Sequence, residues 1–537
     1  MESSGPNLFR GLRILSLMTL LSRILGMIRD MAMASQFGLG PIMDAFTVAF
    51  RIPNLSRKLF GEGALATAFI PVFVRDLQKS DRTDAWRLAT AVFTLLTLCL
   101  SLIVALAEVA VWSWLVWGNP TPENRLLIIL TGAMLPYLIL ICLACQISAV
   151  LYALGHFTWP AVVPVVLNII WLFGVFCLCP LFPSLETQAL VEALCIVAAG
   201  FVQVALQWPT LRSFGFHLNW NWSPVYNQIR EILRTMLPVI VGLSITQINT
   251  FTDSLIAWCF AQPRDNPDAL LPLFGGISYP MTSGAVSALY FGERMYQFPL
   301  GIFGVALGTV LFPLLSRHAI RGELHRLRND LELGMRLVVA VGIPAGIGLM
   351  ILAEPIARAL FERGEFLPAD TLRTAVVIAA YGSGVWAYCA IQILQRGFYA
   401  VLDRRTPLRI GLWTVALNFL LNLTLIWPFG EVGLAASTSL CAILQTLVLI
   451  WTLQQRLGPW PWRGLITTLL KTLACCGTMS LPVYAISISL ADSGKWLRLL
   501  APLTLATATF LITARLVRLH EIRLLLRREV PDDSSDS

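Results

Sequence analysis

The chain has 537 residues, 57% hydrophobic and 13% charged, with a mean hydropathy of +0.72. Soluble domains carry about 25% charged residues, so this composition excludes a soluble globular protein and gives an all-α polytopic membrane protein. Its 39 basic against 31 acidic residues, a net +8, fit the cytoplasmic loops of such a protein better than a nucleic-acid surface.

The N-terminal stretch MESSGPNLFRGLRILSL has no cleavage-site pattern, and its apolar run outlasts a signal peptide, so it reads as a retained first span. Fourteen apolar segments follow one another, at 10–36, 44–74, 87–117, 126–154, 159–181, 187–211, 230–260, 284–316, 332–354, 371–401, 407–428, 432–456, 463–490 and 496–518. Several exceed the length of a straight crossing and must tilt or bend. Pro53 marks a kink in span two, and Pro299 with three nearby glycines marks one in span eight. The aromatic-rich NWNWSPVY (219–226) between spans six and seven resembles an interfacial belt. Cysteines such as Cys142, Cys145, Cys475 and Cys476 lie in apolar runs without zinc-ligand spacing and read as buried thiols.

Loop charges alternate along this series. Arg10 and Arg13 precede span one, and Arg75, Lys79, Arg82 and Arg87 follow span two. Arg212 and Arg230 follow span six, Arg317, Arg321, Arg326 and Arg328 span eight, and Arg404, Arg405 and Arg409 span ten. Arg456 and Arg463 follow span twelve, and Arg518, Arg523, Arg527 and Arg528 lie beyond the last span. The opposite loops are poorer in bases, so fourteen spans with both termini in the cytoplasm are expected.

Part of the chain repeats. ALATAFIPVFVR (64–75) ends span two and ALGTVLFPLLSR (306–317) ends span eight; YALGHFTWP (152–160) and YAVLDRRTP (399–407) link spans four to five and ten to eleven. Both pairs are offset by about 245 residues, or six spans, which predicts two lobes related by an axis along the membrane normal, as in transporters. The expected organisation is an N-terminal six-helix lobe (1–212), a pseudo-symmetric second lobe (213–458), two extra helices (459–520) and a tail (521–537).

Charges fall inside the spans. At 1.5 Å per residue, Arg23 lies about 15 Å beyond Arg13, near the middle of a core about 30 Å thick. Arg29 and Asp30 lie further along span one, Arg57 about 20 Å from Asp44 in span two, and Arg294 roughly ten residues into span eight. Each would cost several kcal/mol against lipid, so each faces protein or a hydrated cavity. Ser22, Gly26 and Arg29 share a helix face, with Arg23 and Asp30 on a neighbouring one. Arg23 and Asp30 are open to two readings, substrate contact or structural pairing with other helices, with Asp44 and Glu62 as candidates for the pairing. Arg29, Arg57 and Arg294 exceed the acids evident at their depth, and the guanidinium fork suits phosphate, so an amphiphile or solute bearing phosphate or pyrophosphate is expected. Asp253, Asn418, Asn422 and Thr438 form a candidate cage for a cation such as Na⁺, the alternative being interhelical hydrogen bonding.

SRILGMIRD (22–30), DAFTVAFRIPNLSRKLFGEGALATAFIPVF (44–73) and ERMYQFPLGIFGVALGTVLFP (293–313), in that order, resemble the MurJ/MviN family of lipid II flippases, within the multidrug/oligosaccharidyl-lipid/polysaccharide exporter superfamily. The resemblance implies two six-helix lobes around a central cavity, with spans thirteen and fourteen forming a groove for the lipid tail. It implies alternating-access transfer of the undecaprenyl-pyrophosphate-linked peptidoglycan precursor from the inner to the outer leaflet of the bacterial cytoplasmic membrane. It places substrate-binding arginines at Arg29, Arg57 and Arg294, with Ser22, Arg23, Asp30 and Asp44 beside them. Lipid II, membrane lipids and other cell-wall synthesis or division proteins are the implied partners. Many members carry an acid where this chain has Gln297, and the loop before span eight is long.

Two rivals stand beside this reading. A cation-coupled exporter of another substrate would line its cavity with acids and aromatics, not bases. A lipid-pyrophosphate enzyme would need a nucleophile, and the five histidines lie in or near loops without one. No cofactor is expected, and the lack of a Walker A pattern argues against ATP hydrolysis. Membrane potential, about 2.3 kcal/mol per charge per 100 mV, or Na⁺ is the expected energy source.

Overall fold

The computed structural model describes residues 4–526 apart from 62, 80–81, 220, 265, 267, 272–275 and 491. Glu62, a candidate partner for the buried charges, therefore lies outside the described residues, as do Arg527 and Arg528.

Nineteen helices are described. The first part of the chain forms α1 (Ser4–Phe37), α2 (Pro41–Ser56), α3 (Ala64–Leu77), α4 (Thr83–Trp117), α5 (Pro122–Ala153), α6 (Thr158–Phe173), α7 (Leu185–Ser213) and α8 (Tyr226–Cys259). Next come α9 (Ala285–Pro299), α10 (Val305–Ile320), α11 (Leu324–Ile351), the short α12 (Ala353–Leu360), α13 (Pro368–Gly382) and α14 (Val385–Ala400). The chain continues through α15 (Arg405–Phe429), α16 (Glu431–Leu457), α17 (Trp462–Ser489), α18 (Lys495–Leu516) and α19 (His520–Leu526). In the loop before α9, β1 (Ala261–Gln262) pairs in parallel with β2 (Met281–Thr282).

Eleven membrane spans among the described residues are evident from length and apolar composition. The expected spans outside that set are one, two and seven, formed by α1, by α2 with α3, and by α8. They carry Arg23, Arg29 and Asp30, then Arg51, Arg57 and Lys58, then Arg230, Glu231 and Arg234. Such charges lower an average hydropathy, and they are what a helix lining a polar interior must carry.

Spans two and eight share a break. A π-turn at Arg57–Gly61 separates α2 from α3, and one at Leu300–Gly304 separates α9 from α10, at the offset of the sequence repeat. Pro53 lies four residues before the first turn and Pro299 immediately before the second. A proline cannot donate to the preceding turn, and the wider i→i+5 register absorbs the mismatch. Span ten, expected as one segment, is interrupted between α13 and α14 by Ser383 and Gly384.

The chain divides into two compact units, Met1–Ser287 with Arg363–Phe366, and Ala288–Glu362 with Leu367–Ser537. The repeat boundary at 212–213 divides the sequence instead, and span seven belongs to the first compact unit. In the first unit Phe69, Phe73, Leu88, Ile147, Leu151 and Phe216 build a buried core from α3, α4, α5 and the turn after α7. Gly200 lets α7 close on α5, since a Cβ there would meet Leu140 and Tyr137 at 2.8 Å. In the second unit Leu327, Leu331, Ile393, Phe398 and Leu453 join α11, α14 and α16. Cys475 and Cys476 are buried with Met479 and Phe510 between α17 and α18, and Cys142 and Cys145 are also buried. Leu98, Leu102, Leu106 and Val109 form an exposed stripe along α4, which suits a lipid-facing side.

Candidate functional site

Ser22, Gly26 and Arg29 share a face of α1, and that face meets α6. Asn168 Nδ2 donates to the Ser22 carbonyl at 3.0 Å and to Ser22 Oγ at 3.3 Å. Asn168 Oδ1 accepts from Arg29 Nη1 at 3.0 Å. The Arg29 guanidinium lies 4.4 Å from the centroid of the Trp171 ring, a cation–π contact worth about 2 kcal/mol when desolvated. Phe46 and Phe50 of α2 pack edge-on against the same ring. Arg29 is thus held by hydrogen bonds on one side and an aromatic face on the other.

Arg29 Nε and Nη2 donate to Asp30 Oδ1 at 3.1 and 2.8 Å, and both residues are buried. Arg29 and Asp30 thus pair with each other, a partnership between neighbours that the sequence reading did not weigh for either residue. Neighbours on a helix ordinarily point apart, but a guanidinium folded over Trp171 is long enough to reach back to the adjacent carboxylate. Arg23 points elsewhere: it is exposed and makes no hydrogen bond or ion pair among the described residues.

Asp44 lies at the start of α9. Its carboxylate, 2% exposed, accepts from the backbone N–H groups of Gly284 and Ser287 at 2.7 Å each, and from Ser287 Oγ at 2.5 Å. It caps the first turn of α9, where a helix leaves its N–H groups unpaired and favours negative charge.

Further along α2, Arg51 Nη1 donates to the Thr250 carbonyl of α8 at 2.9 Å. Arg57 opens the π-turn, and its Nε and Nη2 donate to Asn54 Oδ1 at 3.3 and 3.0 Å. Both arginines are half-buried. The sequence reading did not single out Arg51, although it lies two turns beyond Asp44 in the same span.

In the second unit Arg294 lies over the Tyr290 ring, 4.7 Å from its centroid, and donates to Tyr290 Oη at 3.0 Å and to Gln297 Oε1 at 3.2 Å. Gln297 Nε2 donates to Glu293 Oε1 at 2.8 Å. Gln297 therefore orients Arg294 through a neutral amide and engages Glu293 with its other end.

The candidate cation ligands divide between the units. Asp253, in the first, accepts from Asn249 Nδ2 at 3.4 Å. Asn418, Asn422 and Thr438 are in the second, where Asn422 Oδ1 accepts from Ser437 and Thr438 Oγ1 donates to the Leu434 carbonyl at 3.1 Å. Beside Arg51, the residues Asn168, Trp171 and Glu192 of the first unit were also not singled out in the sequence. A single Asn in VVLNIIWLF (165–173) and a single Glu in LVEALCIVA (190–198) were the available signals.

The sequence model described as lipid II flippase MurJ matches residues 33–504. The chain belongs to the lipid II flippase MurJ family. It is 34% identical over 450 residues to a probable lipid II flippase MurJ of Vibrio cholerae, with 81% of each chain covered. It is 30% identical over 462 residues to a lipid II flippase MurJ of Burkholderia cenocepacia, with 84% of each covered. A solved lipid II flippase MurJ in an inward closed conformation superposes with a TM-score of 0.74 at 23% identity, covering 96% of this chain and 99% of that one. An inward-facing multidrug-resistance MATE transporter superposes with a TM-score of 0.65 at 12% identity, covering 83% and 98%. These two likenesses establish the shared fold. As a MurJ family member the chain is a multi-pass membrane transporter and not an enzyme.

Proposed function

We propose that this chain translocates lipid II, the undecaprenyl-pyrophosphate-linked peptidoglycan precursor, from the inner to the outer leaflet of the bacterial cytoplasmic membrane by alternating access. Family membership carries this reading, and the arginines inside the spans give it a chemistry. Arg29 and Arg57 of the first unit and Arg294 of the second contact the pyrophosphate during the cycle, each offering a planar fork to phosphate oxygens. Arg29 is prepared for this by Asn168 and Trp171, which fix the guanidinium before a substrate arrives. The polyprenyl tail stays in lipid along α17 and α18.

Both termini lie in the cytoplasm in this scheme, because the basic loops gather on that side. Membrane potential supplies the drive, with Na⁺ as the candidate coupling ion; equal transport with and without sodium would remove Na⁺ from the scheme. Other cell-wall synthesis or division proteins are proposed partners. The function is tested by depleting the protein and measuring lipid II open to an external reagent. The externally accessible fraction should fall, and an unchanged fraction would sink the proposal.

A further inference from the structure

Glu521 lies beyond the last span, in α19, yet it is only 2% exposed. Arg518 follows α18 in the left-handed conformation, at φ 50°, and the Leu519 N–H donates to the Ala514 carbonyl at 2.8 Å, so the chain turns back. Leu519 and Ile522 then pack into the core that α17 and α18 share with Ala340 of α11. Glu521, between them, meets two other helices of the same compact unit. Its Oε1 accepts from Arg336 Nε of α11 at 2.6 Å and from Thr468 Oγ1 of α17 at 2.7 Å, and Arg336 Nη2 pairs with the same oxygen. Arg336 Nε also donates to Thr468 Oγ1 at 3.2 Å. One turn nearer the start of α17, a Cβ at Gly464 would clash with Glu332 Oε1 of α11, so the bare glycine lets the two helices close. Lys471 Nζ of α17 donates to the Arg518 carbonyl at 3.2 Å.

We infer that Glu521 is a positioning residue for the substrate's tail: clipped to Arg336 and Thr468, it fixes the rotation of α17 and so the apolar face that this helix turns to the polyprenyl chain. The inference rests on the proposed course of that tail along α17 and α18. The two faces of α17 make the clip necessary. Thr468, Thr472, Cys475 and Met479 form a buried stripe at helical spacing, while Leu470, Leu473, Leu481 and Tyr484 share an exposed face. In a bilayer, lipid chains are as apolar as leucine, so burial gives little drive to choose between such faces. Close packing and interhelical hydrogen bonds choose instead, and at the start of α17 both are present, at Gly464 and at Thr468. A rotation by one residue turns every side chain by about 100° and would carry Leu470 and Leu473 away from the tail. The bond to Thr468 is charge-assisted because the carboxylate faces a guanidinium, which makes it stronger than a neutral pair. Without Glu521 the guanidinium keeps Glu332 Oε2 at 3.7 Å, so its loss releases α17 without stranding Arg336.

The test is binding of lipid II to the full chain in nanodiscs, with the undecaprenyl form set against a form of the same headgroup on a farnesyl tail and affinities referred to lipid mole fraction. The wild type should bind the undecaprenyl form more tightly by about tenfold or more. In Glu521→Ala that preference should fall to about threefold or less, through weaker binding of the long form alone. Thr468→Val keeps the shape of the side chain and loses only the hydroxyl, so it should move the preference the same way, and it decides the matter if Glu521→Ala does not fold. A wild-type preference kept in the folded variants overturns the inference and leaves the course of the tail standing. Equal weakening of both lipids also overturns it, because a general loss of structure does not distinguish tails. A wild type that binds the two forms alike overturns the tail groove and the inference together.

Discussion

Replacing Asp44 with alanine would strip the first turn of α9 of its cap and leave two buried backbone N–H groups without their acceptor. Each such donor costs about 1–3 kcal/mol, and the helix N-terminus loses a favourable charge worth up to about 2 kcal/mol. Part of this is recovered by local relaxation, so a net loss of about 3–5 kcal/mol is expected for the closed form of this turn. Ser287 Oγ also donates to Asp44, and its alternative bond to the Gly284 carbonyl at 3.2 Å does not replace the lost cap. Hydrogen–deuterium exchange of peptides covering 284–290 reads this directly. At 1.4 kcal/mol per decade, amide exchange there should quicken on the order of a hundredfold or more. Asp44→Asn keeps one acceptor oxygen and should fall between the two. Exchange within threefold of wild type in the alanine variant would refute the capping argument.

Asn168→Ala should lower lipid II transport while leaving the protein folded, because it frees Arg29 Nη1 and the Ser22 contact at about 1–3 kcal/mol, whereas transport at the wild-type rate would show that Arg29 needs no orientation. His156, in the loop between α5 and α6, has its imidazole pushed below the usual range by burial, and its Nε2 has no hydrogen-bond partner among the described residues. The folded protein thus holds the neutral ring more readily than the unfolded chain does. Stability should be lost as pH falls through the ordinary histidine range near about 6.5. Melting temperatures at successive pH values should show a shallower acid decline in His156→Phe than in wild type; parallel curves would count against this assignment.

Much of this organisation is legible in the sequence because membrane burial writes itself as long apolar runs and loop charge. The repeat at 64–75 and 306–317 marked the two segments that follow matching π-turns. The face of Ser22, Gly26 and Arg29 followed from helical spacing, and Asn168 bridges Ser22 to Arg29 across it. Partners were harder to read. The Arg29–Asp30 pair depends on how Trp171 bends a guanidinium, and the Asp44 cap joins positions 240 or more residues apart. Neither leaves a periodic signal. Glu192 was visible as one acid in an apolar span, but the room for its carboxyl group depends on the absent side chain of Gly174.

The central claim is that arginines inside the spans carry the pyrophosphate of lipid II. It is met most directly by depleting the native protein, supplying Arg29→Ala, Arg57→Ala or Arg294→Ala in its place, and measuring lipid II accessible at the outer leaflet. With expression matched to wild type, each variant should leave accessible lipid II near the depleted level. Full restoration by all three would contradict the account.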